Sequence, residues 1–203
     1  MPIEAKLGDV VSTKVDVLIL KYAEGFRGAD LAVACKLGIQ STKLPAGSYQ
    51  FFTAAGKIAP HEVLLFSVGP LRDFDYSQIN KFAETTIDIV SRERPNAMRI
   101  GITVHGPNYG LDELASIASL VDGIRRSTPI NSGETNIIVD IIEFDTKRYG
   151  KLEGFLSEGA VDKSQSLNSL FSPGAARAIS SGGTYERRIF AAMPFKEQFL
   201  DHW

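Results

Sequence analysis

The chain has one cysteine among 203 residues. That excludes an intrachain disulfide framework and any metal site built from several thiolates. The cysteine, Cys35, sits in the helix-like run Ala32-Val-Ala-Cys-Lys36 and is expected to be a buried structural thiol, the usual state of a free Cys. There is no excess of positive charge: 22 Lys and Arg stand against 24 Asp and Glu, a formal net charge of -2 at pH 7. A nucleic-acid backbone calls for a clustered basic face, so no nucleic-acid partner is expected. No apolar run reaches about 18 residues, the length that spans a bilayer, so no membrane partner is expected. Glu4 and Lys6 interrupt the first residues, which do not read as a signal peptide. The expected compartment is the cytoplasm. What the chain does have is 44% hydrophobic residues against 23% charged, enough to fill the core of one ordinary domain and part of a second.

Strand-like and helix-like segments alternate. Residues 2–8, 15–22, 48–53, 62–68, 97–104 and 136–144 read as strands, several of them continuous apolar runs. Residues 28–37, 76–94, 111–126 and 146–157 read as helices. The 76–94 segment turns Ile79, Phe82, Ile89 and Val90 inward and is stopped by Pro95. This alternation predicts an α/β fold, three layers α/β/α, with a mixed and mostly buried central sheet.

The segment with most chemical content is Arg99-Ile-Gly-Ile-Thr-Val-His-Gly-Pro-Asn-Tyr-Gly-Leu-Asp-Glu113. A strand runs into a glycine-bracketed turn, and Leu111, Leu114, Ile117, Leu120, Val121 and Ile124 then fall on one helical face. Such a turn before a helix offers free N–H groups and the positive end of the helix dipole to an anion, typically a phosphate.

The composition changes after residue 160. Residues 161–187 carry six serines together with Pro173, Gly174 and Gly182-Gly183, and read as a linker or surface arm. Residues 188–203 read as a strand, Arg188-Ile-Phe-Ala-Ala-Met-Pro-Phe195, and the first turns of a helix. A lone strand leaves its backbone groups without partners, so these residues are expected to open a further, truncated domain.

Taken in order, Gly8-Asp9-Val10-Val11, Val15-Asp-Val-Leu-Ile19, Gly28-Ala-Asp-Leu-Ala-Val33, Leu65-Phe-Ser-Val-Gly-Pro70 and Ile100–Gly110 resemble the macrodomain family over residues 1–145. The resemblance implies an ADP-ribose-binding fold. The chain is also similar to the macro-like N-terminal domain of leucyl aminopeptidases, which is not catalytic. Within the macrodomain resemblance, Asp9 matches an aspartate that contacts adenine, His105–Gly110 matches the loop around the diphosphate and distal ribose, and Gly25–Gly28 partly matches a phosphate-contacting turn. One departure stands out. Lys21-Tyr-Ala-Glu24 replaces the paired asparagines of hydrolytic macrodomains, which speaks against de-ADP-ribosylating activity. The segment 188–195 resembles the start of prokaryotic Toll/interleukin-receptor-like domains, related to nucleoside deoxyribosyltransferases.

These readings give three domain expectations: a macro-like nucleotide-binding domain over 1–160, the arm over 161–187, and the start of a Toll/interleukin-receptor-like domain over 188–203. The expected ligand-binding residues are Asp9, Gly28, Gly106, Asn108, Tyr109 and Gly110, all just past strand ends or in glycine turns that let a phosphate approach closely. Asp9 also suits a plain turn cap. His105 is expected to serve the loop, Asp112 and Glu113 the helix N-terminus, and Arg92, Arg94, Arg125 and Arg126 the helix C-termini without needing partners. Lys21 and Glu24 either meet a ligand or face solvent. No catalytic residue, metal or cofactor is expected. The partner is a nucleotide-derived small molecule, with a homo-oligomer left open. The function so read is a sensor of an ADP-ribose-derived or cyclic nucleotide, regulating a C-terminal effector in bacterial defence. Any NAD-cleaving activity would belong to that effector. The alternatives are a macrodomain hydrolase of ADP-ribosyl or phosphoester bonds and a non-catalytic oligomerisation domain.

Overall fold

β2 (Val17–Tyr22) and β4 (Glu62–Ser67) are buried along almost their whole length, as strands are when helices or loops cover both faces of a sheet. The structure is a computed structural model that describes residues 2–40, 44–128 and 137–157, all within a unit spanning Met1–Leu167. The readings for 161–187 and 188–203 lie outside the described residues. β2 and β4 join β1 (Ile3–Leu7), β3 (Tyr49–Thr53), β5 (Arg99–Thr103) and β6 (Ile138–Glu143) in one sheet, ordered β1-β6-β5-β2-β4-β3. Every pair is parallel except β3 with β4, so the sheet is mixed as expected. The edge strands β1 and β3 keep partly exposed positions along their length.

Among the described residues, α1 (Ala29–Leu37), α2 (Tyr76–Glu93), α3 (Glu113–Arg126) and α4 (Thr146–Ser157) are the helices that flank the sheet. The two-residue period of the strands divides the core. Val17, Ile19, Ile100, Ile102, Val139 and Ile141 pack with α2, α3 and α4, while Leu18, Leu20, Val63, Leu65 and Ile142 pack with Val33 of α1. That is the α/β/α layering.

Helix starts follow side-chain chemistry. Asp75 accepts the Gln78 N–H at 2.9 Å ahead of α2, and Asp112 accepts the Ala115 N–H at 2.9 Å ahead of α3. Three expectations need correction. Cys35 is exposed, because α1 turns Asp30, Val33 and Ala34 inward. Leu114 is 47% exposed; it lies in the first turn of α3, ahead of the stretch that packs on α2 through Ser119 and Gly123. Three of the four helix-end arginines pair with carboxylates. Arg94 pairs with Glu62, Arg92 with Glu93 at 3.3 Å and Arg126 with Asp122 at 3.0 Å.

Candidate functional site

Because five strands run in one direction, the loops leaving their C-terminal ends gather at one edge of the sheet, the edge where open α/β sheets hold ligands. The register aligns these ends, with Leu7 opposite Glu143 and Ile142 opposite Thr103. A cleft of about 600 Å3 opens there, within the usual size range of small-molecule sites. The β1 end contributes Gly8, Asp9 and Val10, the β6 end Ile142, Glu143 and Phe144, and the β5 end the run Thr103–Asn108. Lys21 enters from β2, residues 27–30 and Ala32 from the start of α1, and Arg148 from α4.

Of the residues expected from sequence, Asp9, Gly28, Gly106 and Asn108 line this cleft, while the Tyr109 side chain lies outside the described residues. Asp9 lines the cleft while its Oδ1 accepts the Val11 N–H at 3.0 Å to shape the turn. Gly28 precedes α1 at φ 59 with no side-chain cap, so the first N–H groups of the helix are left to water or a ligand. Gly106 takes φ 113 and starts the 3-10 turn Pro107–Tyr109, which Gly110 closes at φ 88. Gly110 does not line the cleft. Gly106 is itself buried. A Cβ there would come within 2.5 Å of Ser116 Oγ, so a larger residue strains the fold as well as the loop.

Several cleft residues were not singled out from sequence. Phe144 reads as part of a strand, but β6 ends at Glu143 and leaves Phe144 77% exposed at the cleft. Arg148 donates to Glu143 at 3.1 Å and to Glu113 at 3.0 Å, and Lys151 also pairs with Glu113. Glu113 therefore does more than serve the helix dipole. Lys151 first, and Arg148 after it, hold the Glu113 carboxyl below its ordinary range. Asp30 is buried, and its Oδ2 accepts the Arg27 N–H at 3.0 Å. Burial raises its pKa, partly offset by that hydrogen bond and by the charge of Lys21. Lys21 is only 4% exposed yet lines the cleft, and its ammonium lies 5.9 Å from the Phe74 ring centroid. Glu24 is exposed and does not line it. Among the described residues no group of three or more His, Cys, Asp or Glu could hold a metal ion.

His105 is buried at the end of β5, edge-on to Phe82 at 5.2 Å and Phe74 at 6.3 Å, with Nε2 3.5 Å from Thr103 Oγ1. Burial, and then the charge of Lys21, push its pKa well below 6.5. The unfolded chain takes up this proton as the pH falls below about 6.5, while the folded chain resists it. Stability is therefore expected to drop with pH in that window, by up to about 1.4 kcal/mol per pH unit from this residue. Melting curves of the wild type and His105→Gln between about pH 7 and 5 check the sign: the variant should lose the His105 contribution to the slope.

No protein-family model matches this chain, and no curated protein matches its sequence. Solved structures do match. A single-residue variant of the Oceanobacillus iheyensis macrodomain superposes with a TM-score of 0.62 at 13% identity, covering 78% of this chain and 92% of that one. A second variant of that protein, with ADPR, gives 0.59 at 15% identity over 76% and 91%. The Trypanosoma brucei macrodomain in complex with ADP-ribose gives 0.59 at 16% identity over 75% and 68%. At these identities the likeness speaks for the fold alone, and with the sheet order and layering above it shows that this chain has the macrodomain fold.

Proposed function

We propose that this chain is a binding module for a nucleotide-derived small molecule that carries a diphosphate, of the ADP-ribose type. The observation that carries this reading is a cleft edged by an aromatic ring at one end and by two glycine-started backbone turns further along. Phe144 offers a ring face to a base, and Asp9, beside it, offers a carboxylate acceptor to an exocyclic amino group. The Gly106 turn and the start of α1 offer N–H groups to phosphate oxygens. Two of the solved structures that share the fold are complexes with ADPR or ADP-ribose, which supports the ligand class.

The finer reading is that binding is an input signal, passed to a Toll/interleukin-receptor-like segment beginning at residue 188. It rests on the resemblance of 188–195. Cytoplasmic residence and assembly with a second copy belong to the same proposal; among the described residues no helix is long and apolar enough to cross a membrane. The ligand is held without turnover, since the Lys21–Glu24 stretch departs from the asparagine pair of hydrolytic relatives.

Titration calorimetry with ADP-ribose, ADP and AMP tests this. ADP-ribose should bind, and should be recovered unchanged after incubation. Phe144→Ala should weaken binding by roughly 1–3 kcal/mol, the usual worth of base stacking on an aromatic side chain, with little change in melting temperature because the ring is exposed. Absence of binding by all three nucleotides would overturn the reading.

A further inference from the structure

The two edge strands of the sheet differ in what they carry. β1 bears Glu4 and Lys6 along its length, the kind of charge that discourages a further strand from pairing. β3 reads Tyr49-Gln-Phe-Phe-Thr53 and has neither a charge nor a proline. Its ladder to β4 uses alternate residues. The Ser67 N–H donates to the Ser48 carbonyl at 2.8 Å and the Ala54 N–H to the His61 carbonyl at 2.9 Å. Gln50 and Phe52 share that phase and so face β4. The N–H and C=O groups of Tyr49, Phe51 and Thr53 therefore point away from the sheet, and among the described residues no other backbone group bonds to them. Resting on the reading that the chain assembles with a second copy, we propose that the β3 edge is the surface of that assembly. β3 pairs antiparallel with β3 of the second copy about a two-fold axis, making one continuous sheet across both.

A second copy fits because the strand is complementary to itself. A register centred on Phe51 sets Phe51 against its own copy and Tyr49 against Thr53, and every outward N–H then meets an outward C=O. With the axis perpendicular to the sheet, α2 lies on the same side in both copies. Tyr49, Phe51 and Thr53 share that face with Glu62, since residues directly opposed in a ladder point the same way. Over this row the charges are ordered. At the Tyr49 end the tyrosine hydroxyl meets Glu93 and Arg92; toward the Thr53 end Arg94 pairs with Glu62, its guanidinium 4.0 Å from the Phe51 ring centroid. The two-fold brings the Arg92 end of one copy, whose side chain is 63% exposed, against the Glu62 end of the other. Arg92 and Arg94 balance Glu62 and Glu93, so the copies meet without net repulsion, and no excess charge selects a charged peptide in place of a second copy. β3 contributes nothing to the cleft, so pairing leaves both clefts open.

Sedimentation equilibrium of the full chain should show its mass rising from monomer toward dimer between about 1 μM and 1 mM. Amide hydrogen exchange, read residue by residue over the same range, identifies the surface. The Tyr49, Phe51 and Thr53 amides should become protected as the dimer fills, while those of Gln50 and Phe52 should be protected at every concentration. Two variants at exposed positions test the register. Gln50→Lys puts like charges about 7–8 Å apart across the axis, the spacing of diagonal neighbours. Thr53→Pro removes an outward donor and leaves the β4 ladder intact, as proline on an edge strand does. Each should weaken the dimer at least about tenfold, and Lys6→Glu on the β1 edge should leave it unchanged. The exchange pattern and Gln50→Lys stand even where Thr53→Pro fails to fold. A dimer whose Tyr49, Phe51 and Thr53 amides stay unprotected, or one that survives Gln50→Lys, would overturn this surface while leaving assembly intact. A chain still monomeric at about 1 mM would overturn both. ADP-ribose titrated into the same samples reports separately on the binding reading.

Discussion

Replacing Arg99 by methionine is expected to cost the fold about 3 kcal/mol, the low end of what breaking a buried ion pair costs. Asp140, on β6 between β1 and β5, is 1% exposed. Both of its carboxylate oxygens lie 2.7 Å from the Arg99 guanidinium, which also reaches Glu4 at 3.4 Å. Taking the guanidinium away leaves a buried carboxylate without its main partner, and an unpaired buried charge is costly. The low end applies because the Arg99 side chain is one-third exposed, so solvent already screens part of the pair. For a chain of this size the loss amounts to a melting-temperature drop of roughly 6–12 °C. Adding Asp140→Leu to Arg99→Met should restore most of it, because replacing both members of a buried pair by apolar groups is close to neutral. A single variant that melts with the wild type would show that Asp140 finds other partners.

Gly123→Ala should destabilise by about 2 kcal/mol, a typical cost of forcing a methyl group into a packed site. The usual expectation is the reverse, since alanine favours a helix interior over glycine by about 1 kcal/mol. Gly123 lies where α3 meets α2. A Cβ there would fall well inside van der Waals contact of the Asn80 carbonyl oxygen and 3.0 Å from the Ala83 Cβ. The Asn80 side chain ties the same place together, donating to Asp122 at 2.7 Å and to the Ser119 carbonyl at 3.3 Å. The helices would have to separate along their contact. Gly154 in α4 is the internal comparison: a Cβ there meets nothing within 4 Å, so Gly154→Ala should stabilise by up to about 1 kcal/mol. Denaturant titration of both variants reads the two signs directly. Two shifts of the same sign would mean that helix propensity, not interhelix contact, governs Gly123.

The amino-acid sequence by itself determined the order of strands and helices and most of the core. Those are local matters. Continuous apolar runs such as Val17–Leu20 and Val63–Phe66 specify strands covered on both faces, and Asp112 caps α3 through a hydrogen bond spanning three residues. Glycine turns at 28 and 106 were legible for the same reason, since a positive φ is a property of one residue. The tertiary structure decided which of these features meet. Inserting β6 between β1 and β5 brings Phe144 beside Asp9, a closeness across most of the domain that no spacing along the chain encodes. The same packing buries Lys21 in the cleft rather than in solvent, joins Arg148 to Glu113, and turns Cys35 outward. Periodicity tells which side of an element is apolar; only the register and order of the strands tell which polar side chains that apolar packing presses together, and the cleft is made of those.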